Sequence, residues 1–286
     1  MKVYLDYLRY ILDNGQRCAN RTGIDTIACS GYMIVHDMIV HDMKDGFPLL
    51  TTKKMGLKNI ASELEMFLNG ITSKKFLQDK NNHIWDEWCN PKKVPYGTDE
   101  DTKAKMKAED DLGFVYGYQW RKFNSDAEKG DQLKTVIETI KKDPTSRRLI
   151  ISAWNPLQLD EMALPPCVTG YQFLCYPETN TMDIIWQQRS VDSFLGCPYD
   201  LAEAALFLLL MCKETSYQPG KVIGMLGNCH IYENHLEVVK EQLSRTPHKL
   251  PTVEITNWTD IWNWHYTDFE IKDYTCEGKL TGAIAV

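Results

Sequence analysis

The sequence predicts a single α/β domain in which a mixed β-sheet packs against helices. The chain has 286 residues, of which 43% are hydrophobic, and this is enough for one sizeable core. Segments with apolar residues at helical spacing are interspersed with shorter strand-like runs. No linker divides the chain, so we expect one layered structure over residues 1–286.

Helices are predicted where apolar residues recur every three or four positions. This spacing occurs in residues 3–13, 57–69 and 131–142, which predicts three amphipathic helices. An apolar run predicts a long buried helix from about Leu201. A further helix is expected from His230 to about Leu243.

Strand-like runs occupy several stretches between these helices. Residues 25–43 are typical of β-structure, and residues 148–154 predict a strand after the helix at 131–142. Residues 171–176 and 182–188 predict two strands joined by a turn. A mixed α/β arrangement follows from this alternation.

Two segments stand apart from this pattern. Residues 91–113 are rich in charge and interrupted by proline and glycine, which predicts a variable surface excursion. The pentapeptide Ile34–Met38 is repeated at once as Ile39–Met43. Because five is odd, an extra copy cannot extend a strand without reversing which residues face the core, so we expect a bulge or loop to absorb it. His36 and His41 of the repeat are not expected to bind a metal.

Composition excludes several classes of protein. The formal net charge of −7 argues against non-specific binding of nucleic acid, so a phosphate ligand would need a local cluster of arginines. The start of the chain lacks the apolar region of a signal peptide, and the longest apolar run, Ala204–Cys212, is too short to span a membrane. None of the nine cysteines forms a CxxC pair, which indicates reduced thiols in a cytoplasmic protein.

Cys167 is the candidate nucleophile. It follows Pro165-Pro166, a rigid entry, and several arginines elsewhere in the chain are available to lower a thiol pKa. The alternative is that Cys167 is a small buried apolar residue, which is the usual role of a lone cysteine. The residues alone leave both alternatives open.

The chain resembles the thymidylate synthase family from end to end. The matching segments are Asn20-Arg21-Thr22-Gly23, Thr51-Thr52-Lys53-Lys54, Ile84-Trp85-Asp86-Glu87-Trp88, Val115-Tyr116-Gly117, Ser146-Arg147-Arg148, Leu164-Pro165-Pro166-Cys167, Gln188 to Asp200, Gly227-Asn228-Cys229-His230-Ile231-Tyr232 and Ala285-Val286. The resemblance implies that family's single-domain fold and a homodimer formed sheet to sheet. It also implies one-carbon transfer from 5,10-methylenetetrahydrofolate, as cosubstrate, to C5 of a pyrimidine deoxynucleotide, without a metal.

The resemblance also implies roles for individual residues. The Cys167 thiolate would add to C6 of the pyrimidine as a covalent catalyst. The catalytic group as a whole would be Cys167, Glu63, Tyr116 and Asp200. The phosphate would be bound by Arg21, Arg147, Arg148, Arg189 and Ser190, with Arg147 and Arg148 reaching the partner subunit's nucleotide. The base and ribose would be bound by Gln188, Asp200, His230 and Tyr232. The folate would be bound by Ile84, Trp85, Trp88, Asp192, Leu195, Gly196, Tyr199 and Val286, with the C-terminal residues closing over it.

Two positions depart from the family pattern. Asp200 stands where thymidylate synthases carry asparagine, and Val168 stands where they usually carry histidine. An ionised carboxylate only accepts hydrogen bonds, so it suits the 4-amino group of cytosine better than the O4 of uracil. Aspartate also stands at this position in the related deoxycytidylate hydroxymethylases. Protonated Asp200 could also donate, so exclusion of uracil is not absolute.

The sequence therefore leaves several functions in order of preference. Conversion of dCMP to 5-hydroxymethyl-dCMP comes first, a dCMP C5-methylase second, and a thymidylate synthase with an atypical Asp200 third. A dCMP enzyme would suit a phage or virus that modifies its DNA bases in the host cytoplasm. A catalytically silent nucleotide or RNA binder on the same fold is disfavoured, because a binder has no need of the Cys167 thiol.

Overall fold

The computed structural model describes residues 2–19, 22–29, 39–124 and 128–283. It confirms an α/β fold with a mixed sheet packed against helices. The strands are β1 (Gln16–Cys18), β2 (Thr26–Cys29), β3 (Ile39–Asp42), β4 (Ile150–Ser152), β5 (Val168–Tyr176), β6 (Thr181–Asp192), β7 (Gln218–Tyr232), β8 (Thr252–Ile255) and β9 (Phe269–Lys272). The first seven form one sheet in the order β1-β2-β7-β6-β5-β4, with β3 also paired to β7. The pair β6 and β7 is parallel and the other pairs are antiparallel, while β8 and β9 form a small separate sheet.

Helices cover one face of this sheet. They are α1 (Lys2–Asn14), α2 (Leu57–Leu68), α3 (Lys75–Gln78), α4 (Glu100–Ala108), α5 (Tyr116–Lys122), α6 (Gln132–Lys142), α7 (Gly196–Thr215) and α8 (Leu236–Ser244). The nearly all-apolar α7 packs on β6 and β7. Along β6, Ile184 and Trp186 are fully buried, whereas Ile185 is half-buried and Gln187 is exposed. The core therefore lies between the helices and one face of the sheet, as strand alternation requires.

The predicted helices are mostly confirmed, with one clear error. Residues predicted as helices at 3–13, 57–69 and 131–142 form α1, α2 and α6. The prediction of a helix from His230 is wrong, because His230 lies on β7 and α8 begins only at Leu236. His230 is paired with Ala28 on one side and with Asp192 on the other, so sheet pairing overrides the local helical spacing.

The pentapeptide repeat leaves a trace in the pairing of β7. Cys29 of β2 lies opposite Cys229, and Ile39 of β3 lies opposite Gly224. Cys29 and Ile39 are ten residues apart, whereas their partners on β7 are only five residues apart. The register of β3 on β7 is therefore shifted by five residues relative to that of β2, which is the length of one repeat unit. The expected bulge or loop, and His36 with it, lies outside the described residues.

The charge-rich segment 91–113 contains α4, whose residues are mostly exposed. It is fixed to the rest of the fold by the buried Lys74, whose Nζ donates to the carbonyl oxygens of Asp86, Trp88 and Met106. That residues 91–113 form a variable surface excursion stays a prediction. That residues 1–286 form a single domain also stays a prediction. Among the described residues, no helix is both long and apolar enough to cross a membrane.

Candidate active site

A cleft of about 640 Å³ lies at the C-terminal ends of the neighbouring strands β6 and β7. Seven residues predicted to belong to the site line it: Trp88, Cys167, Arg189, Ser190, Asp192, His230 and Tyr232. Asn228 also lines the cleft and was not singled out from the sequence, although it lies inside the segment Gly227–Tyr232 that carried the resemblance.

The segment Pro165–Cys167, which we call the nucleophile turn, is held by Arg189. Its Nε donates to the Pro166 carbonyl at 2.9 Å and its Nη2 donates to the Pro165 carbonyl at 2.8 Å. The backbone N–H of Arg189 donates to the Cys167 carbonyl at 2.9 Å. Because a guanidinium presents its donors in a rigid plane, these bonds fix the turn that places Cys167 at the start of β5. Cys167 is half-buried and is not part of a disulfide.

Tyr116 also holds the nucleophile turn. Its hydroxyl accepts from the Cys167 N–H at 3.0 Å, and its ring stacks on Phe67 with centroids 4.9 Å apart. A side chain at Gly117 would place its Cβ 2.6 Å from the Phe67 backbone, so only glycine lets α5 approach α2 this closely. Burial raises the pKa of Tyr116 well above its usual value, with a further contribution from Cys167. The phenol is therefore protonated at neutral pH.

Glu63 of α2 projects towards the same region. Its Oε1 accepts from the Trp85 indole N–H at 2.7 Å. Burial raises the pKa of Glu63 to about 7, against the lowering effect of the Trp85 hydrogen bond, and the nearby Asp200 raises it further. A carboxyl group with this pKa can both give and take a proton near neutral pH.

Asp200 lies in the first turns of α7 and is held by Gln188. The Gln188 amide nitrogen donates to Asp200 Oδ2 at 2.7 Å, and its carbonyl oxygen accepts from the Trp186 indole N–H at 3.0 Å. The second contact fixes the orientation of the amide, since an indole N–H can only donate. Burial raises the pKa of Asp200 to about 7, which the Gln188 hydrogen bond counteracts. Val168 is buried and pairs with Gln188 across β5 and β6.

Glu203 is a third carboxyl group at this site and was missed in the sequence. It lies one turn after Asp200 on α7 and accepts from the Tyr171 hydroxyl at 3.3 Å. Its pKa is raised well above the usual value, first by burial and then by Glu63 and Asp200. The available signal was a carboxylate three residues from Asp200 within an apolar helix. We call Glu63, Asp200 and Glu203 the carboxyl floor.

The carboxyl floor holds protons at a higher pH than exposed carboxyl groups do, and the pKa values of Glu63 and Asp200 are raised to about 7. In the described part of the chain, the charged groups that act on its members are other carboxyls, and each raises a neighbour's pKa. Buried carboxylates close to one another and without a cation hold protons, because two buried negative charges repel and neither is solvated. Within the described residues, no three or more His, Cys, Asp or Glu side chains are grouped in a way that could hold a metal ion.

His230 and Tyr232 form the far side of the cleft. The rings of His230 and Tyr232 are perpendicular in an edge-to-face contact with centroids 5.2 Å apart, and His230 Nδ1 lies 3.0 Å from Asn228 Oδ1. Burial lowers the pKa of His230, so the imidazole is neutral at neutral pH. A neutral ring beside an amide and a phenol can exchange hydrogen bonds with sugar hydroxyls.

The predicted folate residues are only partly gathered at the cleft. Trp88 lines it, and the rings of Trp85 and Trp88 lie nearly perpendicular with centroids 6.2 Å apart. Asp192 also lines it, and its Oδ1 accepts from the backbone N–H groups of Phe194 and Leu195, which shapes the entry to α7. Three further residues are half-buried against the core and do not line this cleft: Ile84, Leu195 and Tyr199. Gly196 begins α7.

Two of the other predicted phosphate residues are not brought to the cleft of one chain. Arg147 and Arg148 are exposed on the turn before β4 and do not line it. Arg21, and the predicted folate residue Val286, lie outside the described residues. Among the described residues predicted to bind phosphate, Arg189 and Ser190 line the cleft.

Comparison with known proteins agrees with this arrangement. The family model for thymidylate synthase matches residues 2–286. The chain is 42% identical over 298 aligned positions to a thymidylate synthase of Mycoplasma genitalium and equally to one of Mycoplasma pneumoniae, with all of both chains covered in each case. Enzymes of this family transfer one carbon to C5 of a pyrimidine nucleotide, with methylenetetrahydrofolate as cosubstrate. On both grounds, the chain belongs to the thymidylate synthase family.

Proposed function

We propose that this chain methylates dUMP to dTMP with 5,10-methylenetetrahydrofolate. The observation that carries the proposal is the setting of Asp200, which is half-buried, accepts from the Gln188 amide at 2.7 Å and has a pKa raised to about 7 by loss of solvation. Two full-length relatives named thymidylate synthase support the same reaction. These findings favour the function that the sequence placed third over the hydroxymethylation of dCMP that it placed first.

A neutral Asp200 presents the same hydrogen-bonding groups as an asparagine. Its protonated oxygen donates to a carbonyl, and its other oxygen accepts from an N–H. Uracil offers that combination at O4 and N3–H. The residue that looked like a cytosine selector in the sequence therefore suits uracil once its burial is taken into account.

The nucleophile turn and the carboxyl floor supply the groups that the reaction needs. The Cys167 thiolate adds to C6 of the pyrimidine, and C5 then attacks the methylene carbon of the folate. Tyr116 and Glu63 handle proton transfers at the ring, Glu63 with a pKa raised to about 7. Loss of the C5 proton and breakage of the bond to the folate nitrogen give an exocyclic methylene and tetrahydrofolate. Hydride from tetrahydrofolate then reduces the methylene to methyl as the C6–S bond breaks and releases the Cys167 thiolate. Dihydrofolate is the second product.

The proposal includes a homodimer in which Arg147 and Arg148 reach the partner's nucleotide. Support comes from the sheet face opposite the helices, where apolar residues are exposed or only half-buried: Ile150, Leu174, Ile185, Ile223 and Met225. An apolar sheet face of this kind is typical of an interface between subunits. The exposed arginines lie beside it, on the turn before β4.

Methylation of dCMP is the second candidate, and Val168 favours it. The buried valine beside Gln188 offers no polar atom to a carbonyl at position 4 of the base. An ionised Asp200 would accept from a 4-amino group in the same place. In either case Trp88 lines the cleft with Trp85 packed against it, and shielding of the methylene from water by these rings would favour methyl over hydroxymethyl.

Mass spectrometry of the product separates these functions. The protein is incubated at pH 6.5 with methylenetetrahydrofolate and equal amounts of dUMP and dCMP. Formation of dTMP together with dihydrofolate is expected. A hydroxymethyl or methyl group on dCMP, with dUMP unchanged, would refute the proposal.

A further inference from the structure

The side chain of Lys74 is fully buried and is bonded to the backbone of two separate segments. Its Nζ donates to the carbonyl oxygens of Asp86 at 3.1 Å, Trp88 at 3.0 Å and Met106 at 2.8 Å. An ammonium group has three N–H donors and no acceptor, so these three carbonyl oxygens satisfy it completely. Burial of a lysine is costly unless its charge is solvated in this way. The ammonium group therefore joins residues 86–88 to α4 at a single atom.

Met106 connects Lys74 to the charge-rich segment 91–113. It lies in the last turn of α4, and the last four carbonyl groups of a helix have no partner within the helix. A cation is also favourable at this end, because the helix dipole is negative there. The side chain of Met106 is buried, whereas most other residues of α4 are exposed. Met106 thus attaches α4 to the fold both by packing and through its carbonyl oxygen.

The backbone of Lys74 is paired with the end of the same charge-rich segment. The Lys74 N–H donates to the Asp110 carbonyl at 2.9 Å, and the Leu112 N–H donates to the Thr72 carbonyl at 2.8 Å. These two bonds hold residues 72–74 and 110–112 side by side. The ammonium group of Lys74 therefore extends from a fixed backbone, and it cannot follow a segment that moves away.

The other two carbonyl groups belong to the segment that carries the tryptophans of the cleft. Trp88 lines the cleft, and the neighbouring Trp85 donates its indole N–H to Glu63 at 2.7 Å. The indole N–H of Trp88, by contrast, is buried and has no hydrogen-bond partner within the described residues. Trp88 is held through its backbone instead, by Lys74 at its carbonyl oxygen and by the Trp85 carbonyl, 3.2 Å away, at its N–H.

We propose that Lys74 is a positioning residue that holds Trp88 at the cleft and makes the placement of this ring depend on the charge-rich segment 91–113. Loss of the ammonium group leaves the carbonyl oxygens of residues 86, 88 and 106 without this donor, and an unpaired buried carbonyl is costly. The backbone at Trp88 then shifts to satisfy its carbonyl elsewhere, and the ring moves with it. The inference rests on the proposed function for its effect on folate binding, but not for the structural link.

Hydrogen exchange of residues 84–90, followed by mass spectrometry, tests the link without any activity. Lys74→Met keeps most of the side-chain volume but removes all three donors, and it should speed exchange there at least about tenfold. Lys75→Met is the matched control, because Lys75 is the next residue and pairs with Asp79 at the exposed surface. It should leave exchange within about twofold of the parent. Equal exchange in the two variants would overturn the link.

A change at Met106 tests the link from the other side and still decides should Lys74→Met not fold. Met106→Ala removes the buried side chain that packs α4, so its carbonyl oxygen should move away from Lys74. Exchange in residues 84–90 should then rise at least about threefold, although these residues are far from position 106 in sequence. Lys107→Ala, at the exposed neighbouring position, should not change it. Unchanged exchange at 84–90 in Met106→Ala would contradict the dependence on the charge-rich segment.

Steady-state kinetics tests the functional half. In Lys74→Met the KM for methylenetetrahydrofolate should rise about tenfold while the KM for dUMP stays within about twofold, because Trp88 is predicted to contact the folate. An equal rise in both KM values, or faster exchange with an unchanged folate KM, would refute the positioning role. Conversion of dCMP instead of dUMP by the unaltered protein would refute the proposed function. The same comparison of the two KM values with dCMP would still test Lys74.

Discussion

The nucleophile turn and the carboxyl floor lie on either side of Tyr116 but are held by different forces. Arg189 donates hydrogen bonds to the backbone of the turn, and the Tyr116 hydroxyl accepts one from it. The floor is governed by burial, which raises the pKa values of Glu63 and Asp200 to about 7. The contacts of the turn do not depend on a group that titrates near neutral pH, whereas the floor changes its hydrogen-bonding groups there. In our proposal, the turn holds the nucleophile, and Asp200 of the floor selects the base.

Loss of the nucleophile should have the largest effect. Cys167→Ser should lower kcat by at least about 10⁴-fold, because the hydroxyl is a far weaker nucleophile than a thiolate. Turnover is followed by dihydrofolate absorbance, and dUMP affinity by calorimetry. Affinity should stay within about threefold, since the turn is held through backbone atoms. Turnover within tenfold of the parent would rule out covalent catalysis by Cys167.

The second-largest effect on activity is expected from a change at Arg189, which holds the nucleophile turn. Arg189→Lys keeps the charge but cannot donate to Pro165 and Pro166 in one plane, so we expect kcat/KM to fall about 100-fold. Arg9→Lys is the matched control, because Arg9 is exposed on α1 and pairs only weakly with Asp6. A similar kcat/KM for both variants would mean that the geometry of the turn does not depend on the guanidinium.

Replacement of Asp200 in the carboxyl floor should change the preference between dUMP and dCMP. At pH 8, where Asp200 is mostly ionised, Asp200→Asn should raise the ratio of kcat/KM for dUMP to that for dCMP by about 10- to 100-fold. At pH 6 the same change should alter the ratio by less than about threefold, because neutral aspartate and asparagine offer similar groups. An equal effect at both pH values would show that Asp200 does not change its protonation there.

The smallest effect is expected at Glu203. Burial raises the pKa of Glu203 well above its usual value, and Glu203→Gln keeps an oxygen that can accept from Tyr171. We expect kcat/KM for dUMP to change by less than about threefold, a stability-neutral exchange of one neutral group for another. A loss beyond about 30-fold would show that Glu203 works as an anion and that the floor is not neutral.

The sequence predicted the turn better than the floor, for physical reasons. Cys167 and Arg189 lie in short motifs whose local structure is set by proline and by one strand. The raised pKa of Asp200 comes first from burial, which no motif encodes, and in smaller part from the neighbouring Asp192, against the lowering effect of the Gln188 hydrogen bond. The resulting hypothesis of a cytosine selector followed from treating Asp200 as ionised.

For the fold too, elements set by local sequence were predicted better than elements set by distant pairing. Helices α1, α2 and α6 follow from their own spacing of apolar residues. Strand β7 was not recognised, and its end was predicted as helix, because its conformation is imposed by pairing with β2, β3 and β6. Glu203 was missed because one carboxylate in an apolar helix is visible in sequence but its neighbours are not.

The central claim is that protonation of Asp200 sets the base, and a pH series of the competition between dUMP and dCMP tests it most directly. Burial raises the pKa of Asp200 from 3.8 to about 7, so the protonated form that suits uracil prevails below pH 7 and is lost as pH rises through it. Mass spectrometry of products between pH 5.5 and 8.5 should therefore show the share of dTMP falling through a midpoint near pH 7, and a flat profile in Asp200→Asn. A pH-independent preference for dCMP in the unaltered protein would contradict the account.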